Sequence, residues 1–486
     1  MFCFRLSACW KSFLFLSLNF APYLLCMRLV NKIKSFFNSK QLAANNENLK
    51  KNLLNALPFW IGALIAGAVA VFYAKLFALA EAGTVYLYHY NPNAFLIVTP
   101  ACFIAAWWIV QRYAPYARGS GIPQVTAAIE LSNPKHNYKV NSLLGIRVIF
   151  TKIASSLVMV FGGGIVGREG PTIQISASIF KWINDLLPAW YPKISKRNML
   201  VTGAAAGLAS AFNTPLGGIV FAIEELTKTH FSFFRSALLT GVIIAGLTAL
   251  YFLGPYLYLG YPQLNNFSNW VILIILPLAV ITGFAGAGMG NVILYILKKK
   301  SVLKKPSKNI IYLVVCGLII AVMAVFLGEK VMGSGKEIMV QTLFTDDKHL
   351  DWHLPIMRVL GSIVSFSTGA AGGIFAPSLS AGASIGAVYA GLYDLTNPEI
   401  NLVILCGMTG FLTSITSSPF TSSILILEMT NSHNVIFFIM LSALCANLVA
   451  SIVSRHSFYD RLKDQIIHDI HKTEKQTNSE QEQLPG

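Results

Sequence analysis

Glu169 stands in "GGGIVGREGPTIQI" (162–175), a small, apolar stretch interrupted by an arginine and a carboxylate. Gly167 and Gly170 fence Arg168 and Glu169, and Pro171 closes the motif. An ionisable side chain at bilayer depth costs at least ~2.5–3.5 kcal/mol on insertion scales, so such residues mark ion paths and proton relays. A second carboxylate, Glu225 in "FAIEEL" (221–226), ends another apolar run. Glycine or proline breaks further apolar segments in "RGSGIPQV" (118–125), "FNTPLGG" (212–218), "GGIFAPS" (372–378) and "SSPFTSS" (417–423). Broken backbone at that depth is tolerated only where the freed N–H and C=O groups meet protein, water or an ion.

A helix N-terminus carries about +0.5 charge and unpaired N–H groups. Several such ends converging in a membrane make an anion site without a buried lysine. Three motifs fit. In 118–125, Gly119 and Gly121 free the backbone ahead of Pro123, and Ser120 adds a hydroxyl donor. In 167–171 the spacing predicts a helix start at Glu169–Pro171, proline being at home in a first turn. In 372–377, Gly372 and Gly373 precede Ile374 and Phe375, whose N–H groups would point at the ion. A carboxylate at the mouth of such a site is itself an anion. Deprotonated, it takes the ion's place; protonated, it is neutral and leaves. That is a proton-sensitive gate. The other reading is that Glu169 caps its own helix with Arg168 as partner, and the residues alone leave both open.

These motifs need helices in a membrane to position them. The chain has 486 residues, 55% hydrophobic and 12% charged, where a soluble chain carries roughly 25% charged residues. Apolar runs recur at 59–80, 94–110, 271–296 and 309–327, and about 20 such residues span a bilayer. The reading is an all-α polytopic membrane protein; no two-residue alternation suggests a barrel. The chain also repeats. "GIVGREGPTIQISASI" (164–179) echoes "AAGGIFAPSLSAGASI" (370–385), and "NTPLGGIVFAIEELT" (213–227) echoes "SSPFTSSILILEMT" (417–430). Pro215 precedes Glu224 by nine residues, as Pro419 precedes Glu428. Paired broken helices in corresponding positions of two halves place a transporter's site at the repeat interface. The expected organisation is an N-terminal cytoplasmic arm over 1–51, a first membrane repeat over 52–260, a second over 261–460, and a short cytoplasmic tail over 461–486, polar and unstructured from about 472.

The net charge of +16 comes from basic clusters in the N-terminal arm (Arg28, Lys32, Lys34, Lys40, Lys50, Lys51) and in "LKKKSVLKKPSK" (297–308). They follow the positive-inside rule and put both termini in the cytoplasm. No aromatic-basic module accompanies them, so nucleic acid is not a partner. Residues 1–26 read either as a signal-like segment or as an upstream start ahead of Met27. The seven cysteines (Cys3, Cys9, Cys26, Cys102, Cys316, Cys406, Cys445) form no CxxC pair and read as core residues. His349 and His353, near Asp346, Asp347 and Asp351, read as a solvated loop rather than a metal site. No metal or cofactor is expected. No nucleophile–base pair argues for an enzyme.

"GSGIP" (119–123), "GREGP" (167–171) and "GGIFAP" (372–377), in that order, resemble the CLC family of chloride channels and proton/chloride exchangers. The resemblance covers about 54–466. It implies a CLC-like fold of two inverted-topology repeats with many short, tilted, broken helices, and a homodimer with one pore per subunit in the cell membrane, embedded in lipid. By resemblance, Ser120 donates its hydroxyl to chloride, Glu169 is the gating glutamate, and the amides of Ile374 and Phe375 hold chloride. Tyr459 in "SFYDRL" looks like the tyrosine that closes the inner side of the site. Glu225 resembles the inner proton-transfer glutamate of exchangers. Lys152 resembles a basic residue that tunes the site's potential, or is an interfacial cation. Gly119, Gly121, Pro123, Gly167, Arg168, Gly170, Pro171 and Gly373 support the motifs. The other reading of Glu224 and Glu225 is an amphipathic helix end near the cytoplasm; Glu224 keeps a counterpart in Glu428, whereas Met429 takes the position of Glu225 in the repeat. The function implied is proton-coupled chloride antiport; the alternative is a passive voltage- or pH-gated chloride channel of the same fold. The short tail leaves no room for the C-terminal regulatory domains of many eukaryotic relatives.

Overall fold

The apolar runs form helices, and the glycine- and proline-broken motifs form the corners between them. A computed structural model describes residues 47–132, 139–227, 235–254, 257–302, 305–345, 348 and 350–482. In chain order the helices are α1 (Glu47–Tyr90), α2 (Phe95–Tyr113), α3 (Ile122–Glu130), α4 (Val140–Leu143), α5 (Ile146–Phe161), α6 (Glu169–Leu186), α7 (Lys196–Phe212), α8 (Pro215–Phe221) and α9 (Arg235–Leu253). They continue with α10 (Ile272–Lys300), α11 (Pro306–Leu327), α12 (Lys336–Phe344), α13 (His353–Ser367), α14 (Phe375–Ala390), α15 (Asn397–Thr416), α16 (Pro419–Thr430), α17 (Ile436–Val453) and α18 (Phe458–Glu482). Among the described residues, 8 stretches are long and apolar enough to cross a membrane. Outward-facing Leu79, Leu273, Phe437 and Ile452 are largely exposed, as lipid-facing side chains are. The chain is a multi-pass, all-α membrane protein.

Contacts group the chain into two compact units: Met1–Pro58 with Ile183–Ile194, and Phe59–Trp182 with Ser195–Gly486. In the first, the Tyr191 hydroxyl donates to Leu54 O at 2.5 Å and ties the 183–194 segment to the start of α1. The motifs all belong to the second.

Within that unit the two halves are built alike. Helices α7 and α15 both end on a left-handed residue, Asn213 (φ 58) and Ser417 (φ 57). The next residues, Thr214 (φ −127, ψ 82) and Ser418 (φ −123, ψ 79), turn the chain by the same angles. Pro215 and Pro419 then start α8 and α16, where a missing N–H leaves nothing unpaired.

Two contacts fix how the halves relate. Glu224, just after α8, accepts from the backbone N–H groups of Phe420 and Thr421 at the start of α16, at 3.1 and 2.6 Å. Glu428, near the end of α16, accepts from those of Leu216 and Gly217 at the start of α8, at 3.1 and 2.7 Å. Each helix end caps the other helix's beginning, so α8 and α16 lie antiparallel. Repeat-equivalent Gly167 and Gly373 likewise exchange both backbone hydrogen bonds as an antiparallel pair, at 2.8 and 2.7 Å. A reciprocal contact between equivalent residues places a two-fold axis between them, and antiparallel equivalents mean inverted halves.

One reading gains a contact and one changes. Glu224, at the end of its own helix, also caps the start of α16. The tail from 472 is helical as far as Glu482, because its lysines, glutamates and glutamines are good helix formers and extend an existing helix. The arm before Glu47 (with Cys3, Cys9, Cys26, Arg28, Lys32, Lys34 and Lys40), Lys228, His230, Asp346, Asp347 and His349 lie outside the described residues.

A carboxylate at a helix N-terminus contributes roughly 0.5–2 kcal/mol. Glu428→Ala is expected to lower the midpoint of thermal unfolding in detergent, and Glu428→Gln to lower it less. Equal midpoints for wild type and Glu428→Ala would contradict the reciprocal-cap account.

Candidate functional site

The three glycine motifs are joined by backbone hydrogen bonds. Gly119 N donates to Ala370 O at 2.8 Å, and Gly372 N returns to Gly119 O at 3.0 Å. The Gly167–Gly373 pair joins the second motif to the third. The starts of α3, α6 and α14 therefore meet at one buried place. Gly121 adopts φ 104 to start α3, a conformation an L side chain rarely takes. At Gly373 a methyl group would lie 2.9 Å from Gly167 O and force the pair apart. Pro123 and Pro171 sit in the first turns of α3 and α6.

Ser120, Glu169, Ile374, Phe375 and Tyr459 are each no more than 1% exposed. The Ser120 hydroxyl abuts the first turn of α6: a methyl group on Gly170 would fall 2.2 Å from it. Tyr459 brings its hydroxyl close to Ser120. Its ring stacks on Phe375, with centroids 6.3 Å apart and an interplanar angle of 15°. Neither hydroxyl hydrogen-bonds to any described residue. Burying such a group without a partner costs about 1–3 kcal/mol, and two hydroxyl donors beside helix N-termini suit a desolvated anion. Ile374 is the N-cap of α14 and Phe375 its first residue, so both amides belong to the unpaired first turn.

Glu169 opens α6. Its carboxylate folds back over the convergence: a methyl group on Gly167 would meet Glu169 Oε2 at 2.3 Å and the Ala376 amide nitrogen at 3.3 Å. The Tyr258 hydroxyl donates to Glu169 Oε1 at 3.3 Å. Glu169 Oε2 has no hydrogen-bond partner among the described residues and lies on the side of the carboxylate that faces the start of α14.

Tyr459 is held from several sides. The Ser457 hydroxyl caps the first turn of α18 by accepting from Asp460 N at 3.0 Å. Phe458 packs edge-on against Phe366, and Lys463 pairs with Glu130 of α3 at 2.9 Å. Glu225 lies in a π-helical turn, Ala222–Thr227, and is 3% exposed. Such turns concentrate at functional sites. Ser418, the residue before α16, donates to Glu225 Oε2 at 2.8 Å. Glu225, Ser418, Phe375 and Tyr459 line one narrow cleft.

Lys152 is wholly buried and donates to Ala117 O at 2.9 Å and Gly119 O at 2.7 Å. Its Nζ lies directly behind the Ser120 motif, held by the carbonyls of 117 and 119. Lys300, from the basic run, turns inward and donates to Ser367 O (3.0 Å) and Thr368 O at the end of α13. A cation is favoured at a helix C-terminus, and this one anchors the approach to Gly372. Arg168 lies beside the Gly167–Gly373 pair.

Two residues escaped the sequence reading. Arg358, fully buried in α13, donates to Met332 O at 2.8 Å and to Ser380 Oγ at 2.7 Å. Its isolation inside an apolar run was a readable signal. Tyr258 lies in an irregular connection and had none.

A profile of the family described as "Voltage gated chloride channel" matches residues 101–451. The H(+)/Cl(-) exchange transporter ClcA of Citrobacter koseri is 28% identical over 386 residues, covering 76% of this chain and 79% of that protein. Its namesake in Klebsiella pneumoniae is 28% identical over 383 residues, covering 76% and 78%. Among solved structures, a slow cyanobacterial Cl-/H+ antiporter superposes with a TM-score of 0.75 at 22% identity, over 85% of this chain and 98% of that one. A CLC-type fluoride/proton antiporter gives 0.70 at 21%, over 85% and 98%. A family match across most of the membrane region, with the same fold in those structures, places this chain in the voltage gated chloride channel (CLC) family.

Proposed function

We propose that the protein is a proton-coupled chloride antiporter. Chloride binds between the hydroxyls of Ser120 and Tyr459 and the amides of Ile374 and Phe375. Glu169 competes with it for the outer part of the site and leaves when protonated. The observation that carries exchange rather than passive conduction is Glu225, a buried carboxylate lining the same cleft as Tyr459 and Phe375. A proton reaches Glu225 from the cytoplasm and passes to Glu169. Direct transfer needs contact at ~2.6–3.2 Å or one intervening water. The exchange relatives from Citrobacter koseri and Klebsiella pneumoniae support the reading. Lys152 raises the local potential for the anion through the carbonyls it holds. Repeats 52–260 and 261–460 form the transport unit, which acts as a homodimer with one pore per subunit in the cell membrane, both termini in the cytoplasm. It needs no cofactor.

Glu169→Ala is expected to abolish proton movement and leave chloride flux passive and insensitive to pH. A variant that still moves protons against a gradient would contradict the gate. Removing a donor from a charged ligand typically costs ~1.5–3 kcal/mol. Ser120→Pro is therefore expected to lower chloride preference over nitrate by about tenfold or more without disrupting the fold, and unchanged anion ratios would remove Ser120 from the site. Glu225→Gln is expected to keep chloride transport and lose proton uptake driven by a chloride gradient in liposomes. Glu224→Gln, on a cap rather than in the cleft, should keep both. Intact coupling in Glu225→Gln would sink the proton route.

A further inference from the structure

The connection between the halves reaches the site through Tyr258, which contacts Glu169. It is fastened to the second half: Leu259 N donates to Met429 O at 3.2 Å, Asn401 Nδ2 to Gln263 O at 3.0 Å, and Asn434 Nδ2 to Leu264 O at 2.7 Å. Tyr258 projects from this connection and is 3% exposed. Its ring packs edge-on against Phe212 at 5.1 Å, and Lys336 Nζ lies 4.7 Å over its face. Lys336 also lines a cavity of about 360 Å³ with Glu81, Glu329 and Glu337. Tyr258 thus packs under Lys336, at the edge of that cavity, and reaches Glu169, with its hydroxyl 3.3 Å from Glu169 Oε1.

We propose that Tyr258 is a latch on the Glu169 gate. Its hydroxyl donates to the deprotonated carboxylate and holds it over the helix N-termini. A hydrogen bond to an ionised acceptor is roughly twice as strong as one between neutral groups. Protonation of Glu169 therefore weakens the latch as it removes the attraction of the helix ends, and both changes favour release. Phe212 and Lys336 fix the ring, so the hydroxyl is presented without the entropy loss of an exposed tyrosine. The bond joins a residue fastened to the second half to one that opens a helix of the first. Tyr258 acts through Glu169 and touches no transported ion, which makes it a positioning residue. The proposal rests on the gate reading of Glu169.

The charged and titratable groups around Glu169 are Arg168 beside it, Tyr73 and Glu81 from α1, Lys336 from α12 and Tyr459 from α18. Tyr258→Phe leaves all of them in place and keeps the ring over which Lys336 lies. The test is chloride flux through the full-length protein in liposomes, across a pH series from neutral down to the ordinary carboxylate range of about 4–5. Tyr258→Phe is expected to raise flux about three- to tenfold at neutral pH, with the gain shrinking toward none at the acidic end. In a Glu169→Ala background the same substitution should change nothing. A constant factor at every pH, no change at any pH, or the same gain in the Glu169→Ala background would each overturn the latch. Proton coupling that survives in Glu169→Ala would instead overturn the gate reading on which the latch rests.

Discussion

The antiparallel pair of Gly167 and Gly373 is the contact on which the site depends. Each residue lies two positions before the first residue of its helix, and each gives and takes one backbone hydrogen bond with the other. That brings the N-termini of α6 and α14 together from opposite halves. The Gly119 bonds add the start of α3. Three partial positive ends meet in a place from which lipid is excluded, and the low local dielectric strengthens their pull on an anion. Glycine is required because the two backbones touch: a single added carbon at Gly373 would lie 2.9 Å from the facing carbonyl oxygen.

Symmetry explains the scaffold, and departures from symmetry carry the chemistry. Gly167 matches Gly373, Pro171 matches Pro377, Pro215 matches Pro419, and Glu224 matches Glu428. These pairs bond to each other or occupy equivalent corners. Glu169 matches Phe375, Arg168 matches Ile374, and Glu225 matches Met429. A duplicated carboxylate at the position of Phe375 would set two like charges at one anion site. In our reading a single gate on one side and a single inner acid on the other give the two-fold scaffold a direction.

Much of this was legible in the residues. Helix starts at Glu169 and Phe375 followed from glycine before and proline in the first turn, which leave few other conformations. The repeat was legible because its corners need left-handed residues and prolines at fixed spacing. What the sequence hid was contact across it. The Glu224–Glu428 exchange joins residues about two hundred apart, and neither end differs from an ordinary helix-end glutamate. The environment of Lys152 turned on a fold that draws carbonyls of 117 and 119 around its ammonium. Tyr258 sits in a connection without periodicity, and only the tertiary path of that connection brings it to Glu169.

The central claim is that chloride and protons move in fixed ratio through one gate, and reversal potential in reconstituted bilayers tests it most directly. Under a chloride gradient alone, and then with a proton gradient added, an antiporter's reversal potential lies away from the chloride equilibrium potential and moves with the pH difference. The account predicts that shift for the wild-type protein. A reversal potential fixed at the chloride equilibrium value, whatever the pH difference, would contradict it and identify a passive channel.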